Sequence, residues 1–352
     1  MKTKRILVIS LFLMLAFVLS SCTGGALRAS SWPGINGDGE NSYVSHASYV
    51  YSLRVKDGTE NWRFPSKAEG AKTFFAQPLV TDNQILVGDY ENTFYSINPA
   101  SGVLNWEFTG ATNRYIGAAA VGGDLILAPN ADYNLYALDF SGNLVWTFEA
   151  KQALWSAPVV DGETVYLASM DHFLYALNLK TGEMIWETDL GGAIVYSPSM
   201  ENGTLFVATL ANEVVAVNKT NGSVVWRNPT SQNLWSQPVI KDGIVYYGDH
   251  EGKVSAVSAA DGKEKWNYNL GEMVSGAAAI MPDGVVFAGE NGKLVGLDFN
   301  GELLWTRSTD GKLYTGPVLV DSMLVLGIVQ GENLLKSYTF DGNEVWSYKP
   351  SK

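Results

Sequence analysis

Few side chains of this chain have the chemistry of nucleophiles or soft metal ligands, since its 352 residues include one cysteine and three histidines. The cysteine is Cys22, and the histidines are His46, His172 and His250. A disulfide or a zinc site built on several thiolates needs more than one cysteine. No nucleophile elbow, phosphate-binding loop or zinc-binding helix motif occurs. We therefore expect no catalytic residue and no metal, with the three histidines solvated in separate turns.

Two segments alternate oxygen-bearing side chains in the manner of calcium loops. They are Asn36–Glu40 and Asn130–Asn134. Neither has the spacing or the terminal glutamate of an EF-hand. Asn, Asp and Gly are also the residues that tight turns prefer, so turn chemistry explains both segments.

The composition excludes several classes of protein. Charged residues make up 17% of the chain, against about 25% in average globular proteins, and the net charge is -12 with a pI near 4.7. Eleven tryptophans and 46% apolar residues are inconsistent with a disordered chain. Nucleic acid is not an expected partner, because an acidic protein meets net repulsion from a polyanion.

The N-terminus has the pattern of a secretory signal. Lys2, Lys4 and Arg5 precede an apolar run from Ile6 to Leu19, which is shorter than the roughly 20 residues of a membrane-spanning helix. The following Leu19-Ser20-Ser21-Cys22 resembles the lipobox of bacterial lipoproteins. We expect a signal peptide at 1–21, a lipid on Cys22 and a flexible tether at 22–30. The resemblance implies attachment to the outer membrane where the host has two membranes, because Thr23 is not aspartate.

A repeat of about forty residues organises the rest of the sequence. Eight tryptophans recur at intervals of 39 to 44 residues, and each is preceded four positions earlier by a glycine. This regularity predicts a propeller or solenoid rather than two unrelated domains. The tryptophans are Trp62, Trp106, Trp146, Trp186, Trp226, Trp266, Trp305 and Trp346.

Each repeat reads as four short strands. In residues 155–188, runs at 155–160, 165–168, 173–177 and 183–188 are rich in β-branched and aromatic residues and are separated by Gly, Asp and Asn turns. Four-stranded antiparallel units repeated around an axis form a β-propeller. We predict an all-β, eight-bladed propeller over residues 31–348, with blade ends near the eight tryptophans. Whether residues 26–31 add a closing strand is left open.

The recurrent glycine and tryptophan have separate expected roles. Glycine permits the positive φ that a tight turn before the fourth strand requires. Each tryptophan is expected on the outer strand, covering the gap to the neighbouring blade. Burial of an indole removes roughly 150–250 Å² of surface from water, so these side chains are expected to hold consecutive blades together.

A second set of aromatic residues recurs where the innermost strands begin. Propeller geometry predicts these residues near the mouth of the central channel, where such rings can bind a peptide, a sugar or a planar ligand. The alternative is that they pack between blades. Trp155 and Trp235 are the favoured binding residues of the set, since Trp is common at binding hot spots. The candidates are Phe75, Tyr115, Trp155, Tyr196, Trp235 and Tyr314.

The repeat sequence Leu174–Trp186, with its Gly182 and Trp186, resembles the tryptophan-docking repeat of quinoprotein-like propellers. Two branches of that superfamily are relevant: the pyrroloquinoline quinone (PQQ) dehydrogenases and the BamB-like lipoproteins of outer-membrane β-barrel assembly. The dehydrogenases generally use adjacent cysteines, Ca²⁺ ligands and a catalytic aspartate. The single cysteine and the short blades of this chain resemble the BamB-like branch instead.

The resemblance implies a non-catalytic, lipid-anchored scaffold at the cell envelope, facing the periplasm, with protein partners and without a cofactor. In a host with one membrane, the same chain would lie on the outer face of the cytoplasmic membrane. Two alternatives remain open: a PQQ-dependent oxidoreductase, and a surface protein that binds sugar or peptide. Extended segments can also pair with exposed strand edges of a propeller.

Overall fold

The structure is a computed structural model that describes residues 32–70 and 72–351. These residues form 32 strands and no helix. The strands assemble into eight separate sheets of four, each antiparallel and in chain order. The predicted eight-bladed β-propeller is therefore confirmed. Within the described residues, no helix has the length and apolarity to cross a membrane.

Each blade begins with the two strands that lie nearest the propeller axis. The innermost strands are β1 (Gly34–Gly37), β5 (Leu79–Val80), β9 (Ala120–Gly122), β13 (Val159–Asp161), β17 (Ser199–Glu201), β21 (Val239–Lys241), β25 (Ala279–Ile280) and β29 (Val318–Val320). The second strands are β2 (Asn41–His46), β6 (Ile85–Gly88), β10 (Leu125–Pro129), β14 (Thr164–Ala168), β18 (Thr204–Thr209), β22 (Ile244–Gly248), β26 (Gly284–Ala288) and β30 (Met323–Gly327).

Two further strands complete each blade. The third strands are β3 (Tyr49–Arg54), β7 (Phe94–Ile97), β11 (Asn134–Leu138), β15 (Phe173–Asn178), β19 (Glu213–Asn218), β23 (Lys253–Ser258), β27 (Lys293–Asp298) and β31 (Leu335–Tyr338). The outer strands are β4 (Glu60–Phe64), β8 (Leu104–Phe108), β12 (Leu144–Glu149), β16 (Met184–Asp189), β20 (Val224–Pro229), β24 (Glu264–Asn269), β28 (Leu303–Ser308) and β32 (Glu344–Tyr348).

The innermost strands are shorter than the sequence indicates. In blade 4 the apolar run at 155–160 predicts a strand from its first residue, but β13 begins at Val159. The segment 155–158 is irregular. Strands crowd together near the axis, and Pro158 also has no N–H to donate to a ladder. The other three strands of this blade match the predicted runs to within one residue.

The hydrophobic core lies between blades. The buried side chains form eight clusters, and each cluster joins two consecutive blades. At the junction of blades 3 and 4, for example, Leu127 and Leu135 pack with Val165 and Leu177, all fully buried. A single blade exposes both faces of its sheet, so it is stabilised only when the next blade covers it.

The recurrent tryptophans connect neighbouring blades, as predicted. The indole of Trp186 in blade 4 donates a hydrogen bond to the carbonyl of Lys219 in blade 5, at 3.2 Å. Its ring also lies against Gly222 of blade 5, where a Cβ would approach Trp186 Cε3 to 2.7 Å. The glycine therefore meets the tryptophan of the preceding repeat, besides adopting the expected positive φ of 72°. Equivalent indole hydrogen bonds start at Trp62, Trp106, Trp146, Trp226, Trp266, Trp305 and Trp346.

A β-bulge precedes each of these tryptophans. In blade 3, Trp146 pairs with Ala137 and Leu144 pairs with Leu138, so Val145 is the extra residue. All eight blades show the same shift at the same place. Bulges increase local twist and redirect side chains. Here the bulge lets two consecutive residues before the tryptophan face outward.

The ring closes by contact between blades 8 and 1. Trp346 donates to the carbonyl of Val55 at 2.6 Å, and Tyr348 donates to the carboxylate of Glu60. The blade 8 sheet holds four strands within the described residues. The expected signal peptide at 1–21, lipidated Cys22, tether at 22–30 and possible strand at 26–31 all lie outside the described residues.

Candidate functional site

One face of the ring, here called the inter-blade face, collects the segments that link one blade to the next. Each segment bonds to the turn between the second and third strands of the blade before it. Tyr115 N donates to Asp89 O at 2.9 Å, and Ile194 N donates to Ser169 O at 3.1 Å. These repeated backbone hydrogen bonds position the six candidate aromatic residues, which all lie in the inter-blade segments.

Buried aspartates stabilise several turns of this face. Asp171 is 7% exposed and accepts hydrogen bonds from Lys151 N and Tyr175 Oη, both at 2.8 Å. Asp89 is fully buried and accepts from Tyr95 Oη at 2.8 Å. Because burial and the neighbouring carboxylate both disfavour a phenolate, the pKa of Tyr95 is raised. The carboxylates of Asp89 and Asp171 are therefore paired internally.

Phe75 and Tyr115 do not offer their rings to a ligand. Phe75 is 2% exposed and packs against Tyr90 in a tilted arrangement, with ring centroids 4.1 Å apart. Tyr115 is 1% exposed and packs on Phe94 at 5.3 Å. Their burial agrees with the alternative reading, in which these two rings pack between blades. They fill the spaces between blades, because the inter-blade segment turns their side chains into the core.

Tyr196 reaches from one blade past the next. It precedes blade 5, yet its hydroxyl donates to the carbonyl of Ser275, which precedes blade 7, at 2.9 Å. Burial raises the pKa of this phenol to about 12, so it is a neutral donor at ordinary pH. Its side chain therefore links the segment before blade 5 to the segment before blade 7.

Trp155, Trp235 and Tyr314 retain partial exposure on the inter-blade face. Trp235 is 36% exposed and stacks on His250, with centroids 5.9 Å apart and planes at 20°. The indole N–H of Trp155 is buried and has no hydrogen-bond partner among the described residues. A buried donor without a partner is costly, and Trp155 therefore has an unused polar group for a ligand or water.

The histidines differ from the solvated turn residues that we expected. His172 is exposed and has a φ of 80°. His46 and His250 are half-buried instead, and each has one buried ring nitrogen without a partner among the described residues. Burial lowers the pKa of both. The expectation is thus wrong for His46 and His250, whose turns pack against neighbouring segments.

Sequence reasoning missed two other exposed aromatic residues near this face. Trp32 is 39% exposed and Tyr133 is 45% exposed. Trp32 precedes the first strand and contacts Phe75 edge-on at 5.2 Å. Trp32 occupies the same position in the first repeat as the other inter-blade aromatic residues do in theirs, and this equivalence could have identified it from the sequence. Tyr133 has a positive φ of 78° in a turn, and no sequence pattern marks it.

The oxygen-rich segments act as turns. Asp38 accepts from the backbone of Glu40 and Asn41, at 3.0 and 2.8 Å. Asp132 accepts from Thr112 N at 2.8 Å and from Tyr136 Oη at 2.7 Å. Within residues 32–70 and 72–351, no three His, Asp or Glu side chains converge as a metal-ligand set.

The chain matches a known protein family over almost its whole length. The profile of the family described as outer membrane protein assembly factor BamB matches residues 21–147, 134–281 and 271–352. A curated protein of that name from Legionella pneumophila (strain Paris) is 31% identical over 137 residues, which are 39% of this chain. The match spans 34% of that protein's length.

Solved structures share the fold at low identity. The crystal structure of BamB from Moraxella catarrhalis aligns with a TM-score of 0.72 and 16% identity, over 88% of this chain and 93% of that one. A computationally designed protein, Ika8, aligns with a TM-score of 0.76 and 16% identity, over 88% and 96%. At such identities the likeness concerns the architecture alone.

Proposed function

Because this chain belongs to the family of the outer membrane protein assembly factor BamB, we propose that it is a non-catalytic scaffold that assists the assembly of outer-membrane β-barrel proteins. Its partners would be proteins of the assembly machinery, and no cofactor would take part. The observation that carries this proposal is the family match, which extends over every blade.

The arrangement of the polar residues supports a binding role over catalysis. The buried aspartates of the inter-blade face are engaged with backbone N–H groups and tyrosines. They are therefore occupied in holding turns. Rigid turns and partly exposed rings on one face suit recognition of a protein surface.

We further propose that Trp155 and Trp235 contribute to partner binding. Trp235 presents part of its ring to solvent, and the N–H of Trp155 has no partner among the described residues. Both lie on the inter-blade face, in the segments before blades 4 and 6. An aromatic ring with a free polar handle is typical of binding hot spots.

Anchoring is part of the proposal. A lipid on Cys22 would hold the mature chain at the periplasmic side of the outer membrane, with the tether at 22–30 leading to the propeller. The proposal follows from the lipobox-like sequence before Cys22. Globomycin, which blocks lipoprotein signal cleavage, is expected to cause an unprocessed precursor to accumulate. Cys22→Ser removes the thiol that the lipid needs and that precedes this cleavage, so it is expected to give an unprocessed precursor without lipid.

The assembly role is tested by crosslinking in intact envelopes of the native host, followed by purification of this chain. We expect the central barrel subunit of the assembly machinery among the crosslinked proteins, and its recovery to fall in the Trp155→Ala/Trp235→Ala double variant. Leu319→Ala is the control, because Leu319 is 44% exposed on strand β29 and belongs to no proposed site. Full recovery with the double variant would contradict the role of the two tryptophans.

The assembly role itself fails if deletion of the gene leaves outer-membrane β-barrel levels unchanged. Two further measurements separate it from the alternative functions. Bound quinone and dye reduction after incubation with PQQ and Ca²⁺ would indicate an oxidoreductase. Selective binding on a glycan array would indicate a sugar-binding surface protein.

A further inference from the structure

The outer edges of blades 3, 4 and 5 carry exposed apolar pairs that form a continuous stretch of the circumference, here called the apolar rim. Each pair occupies the two positions before the recurrent tryptophan. The six side chains are 38–53% exposed, and they are Leu144, Val145, Met184, Ile185, Val224 and Val225. The bulge before each tryptophan turns both members of a pair outward.

Blades 1, 6 and 8 carry a charge at the same position, whereas blade 7, away from this stretch, has a further exposed apolar pair, Leu303 and Leu304. The residue two before the tryptophan is Glu264 in blade 6, Glu344 in blade 8 and Glu60 in blade 1. Their ion pairs are with Lys253 at 2.7 Å, Lys336 at 3.1 Å and Arg63 at 2.6 Å, respectively. Charged residues on edge strands are a common device against pairing with other chains. Blades 3 to 5 lack this device at the equivalent position.

The outer strands retain hydrogen-bonding capacity. Strands β12, β16 and β20 are the last strands of their sheets, so each pairs with one neighbour only. Half of the backbone groups of such a strand point away from the sheet and can accept an added extended segment. An added strand would bring its own apolar side chains against the rim.

The charge of this surface selects the occupant. The outer strands and turns of the rim expose Glu149, Glu183 and Asp189, which have no ion pair among the described residues. The exposed cation on the same strands, Arg227, is paired with Glu213. A second copy of this acidic chain would place like charges together, whereas an extended segment with basic residues would complement them.

We propose that the apolar rim binds extended polypeptide segments that alternate apolar and basic residues, by adding them as a fifth strand to blades 3, 4 and 5. The inference does not depend on the role in outer-membrane assembly, because it rests on the rim alone. Three segments bind side by side on the apolar rim, one on each outer strand of blades 3, 4 and 5, and the separate pair Leu303 and Leu304 of blade 7 offers one more site of the same kind.

Isothermal titration calorimetry tests the proposal. A blocked octapeptide of alternating valine and lysine is titrated into the full-length purified chain. We expect saturable binding, lost when alternate amides of the peptide are N-methylated, since methylation removes strand hydrogen bonds. The Val145→Thr/Ile185→Thr/Val225→Thr variant is expected to weaken binding about fivefold or more, given that each site loses apolar contact. Val345→Thr, at the equivalent position of protected blade 8, is the matched control.

Several results would overturn the proposal. Equal binding of the N-methylated peptide would exclude strand addition, and equal loss in the Val345→Thr control would exclude the rim as the site. Equal affinity for an alternating valine and glutamate peptide would exclude the charge argument. Concentration-dependent dimers that disappear in the triple variant would identify a second copy as the occupant instead. If the triple variant does not fold, Ile185→Thr alone is expected to weaken one of the three sites.

Discussion

The indole of Trp346, on the last strand of blade 8, lies against Gly58 in blade 1, where a Cβ would approach Trp346 Cε3 to 2.7 Å. The same contact recurs at each junction between consecutive blades, so the closing junction uses the device of the other seven. Within the described residues, blades 1 and 8 are therefore joined by side-chain packing, without a strand shared between them. Trp346 is only 7% exposed, which makes this junction well buried.

The first prediction concerns an internal junction. Trp186→Ala removes an indole and its hydrogen bond to Lys219 O, and should lower the free energy of unfolding by about 3 kcal/mol. Urea denaturation measures the change. Trp235→Ala is the control, because Trp235 is more exposed and bridges no pair of blades by an indole hydrogen bond. If Trp235→Ala lowers the free energy of unfolding as much as Trp186→Ala does, docking at the junction is not the cause.

The second prediction separates docking from backbone strain. Gly182 has a φ of 72° and faces Trp146, whose Cε3 lies 2.6 Å from a built Cβ, whereas Gly162 has a φ of 57° and open space around it. Gly162→Ala should cost about 1 kcal/mol from strain alone. Gly182→Ala should cost about 1–3 kcal/mol more, because the ring must also move. Equal thermal melting shifts would show that the tryptophan contact adds nothing.

The third prediction concerns the closing junction. Trp346→Ala should allow blades 1 and 8 to separate locally while the remaining junctions persist, since each junction has its own core cluster. Hydrogen exchange should then lose protection mainly in strands β2, β3, β30 and β31. Protection lost evenly around the ring would instead indicate that the propeller opens only as a whole.

The fourth prediction concerns pH. Burial lowers the pKa of His46 and His250 in the folded state, so the unfolded chain binds more protons as the pH falls through about 6.5. Stability should therefore decrease between pH 7.5 and 5.5. The His46→Gln/His250→Gln variant should lose less on the same change, as measured by denaturation at both pH values.

His172→Gln is the matched control for the pH experiment, because His172 is exposed. It should show the same pH dependence as the parent chain. A double variant whose stability falls as steeply as that of the parent would remove the histidines as the cause and leave other titrating groups to explain the loss.

The sequence by itself determined the number of blades, the four strands of each and the identity of the docking residues. It could do so because the glycine and tryptophan recur at a period set by one structural unit, and because strand patterning is local. The seven internal junctions follow the order of the chain. The positive φ of the glycines was also readable, since turn geometry is a local property.

Only the tertiary structure decided which residue each tryptophan meets and which aromatic residues are exposed. The indole of Trp186 contacts Gly222 of the next repeat, a relationship that the spacing within one repeat does not contain. Phe75 is buried whereas Trp235 is exposed, although both precede an innermost strand, because exposure depends on what the neighbouring blade places over each ring. The bulge that exposes Val145 and Ile185 likewise depends on pairing between strands, which no single strand sequence specifies.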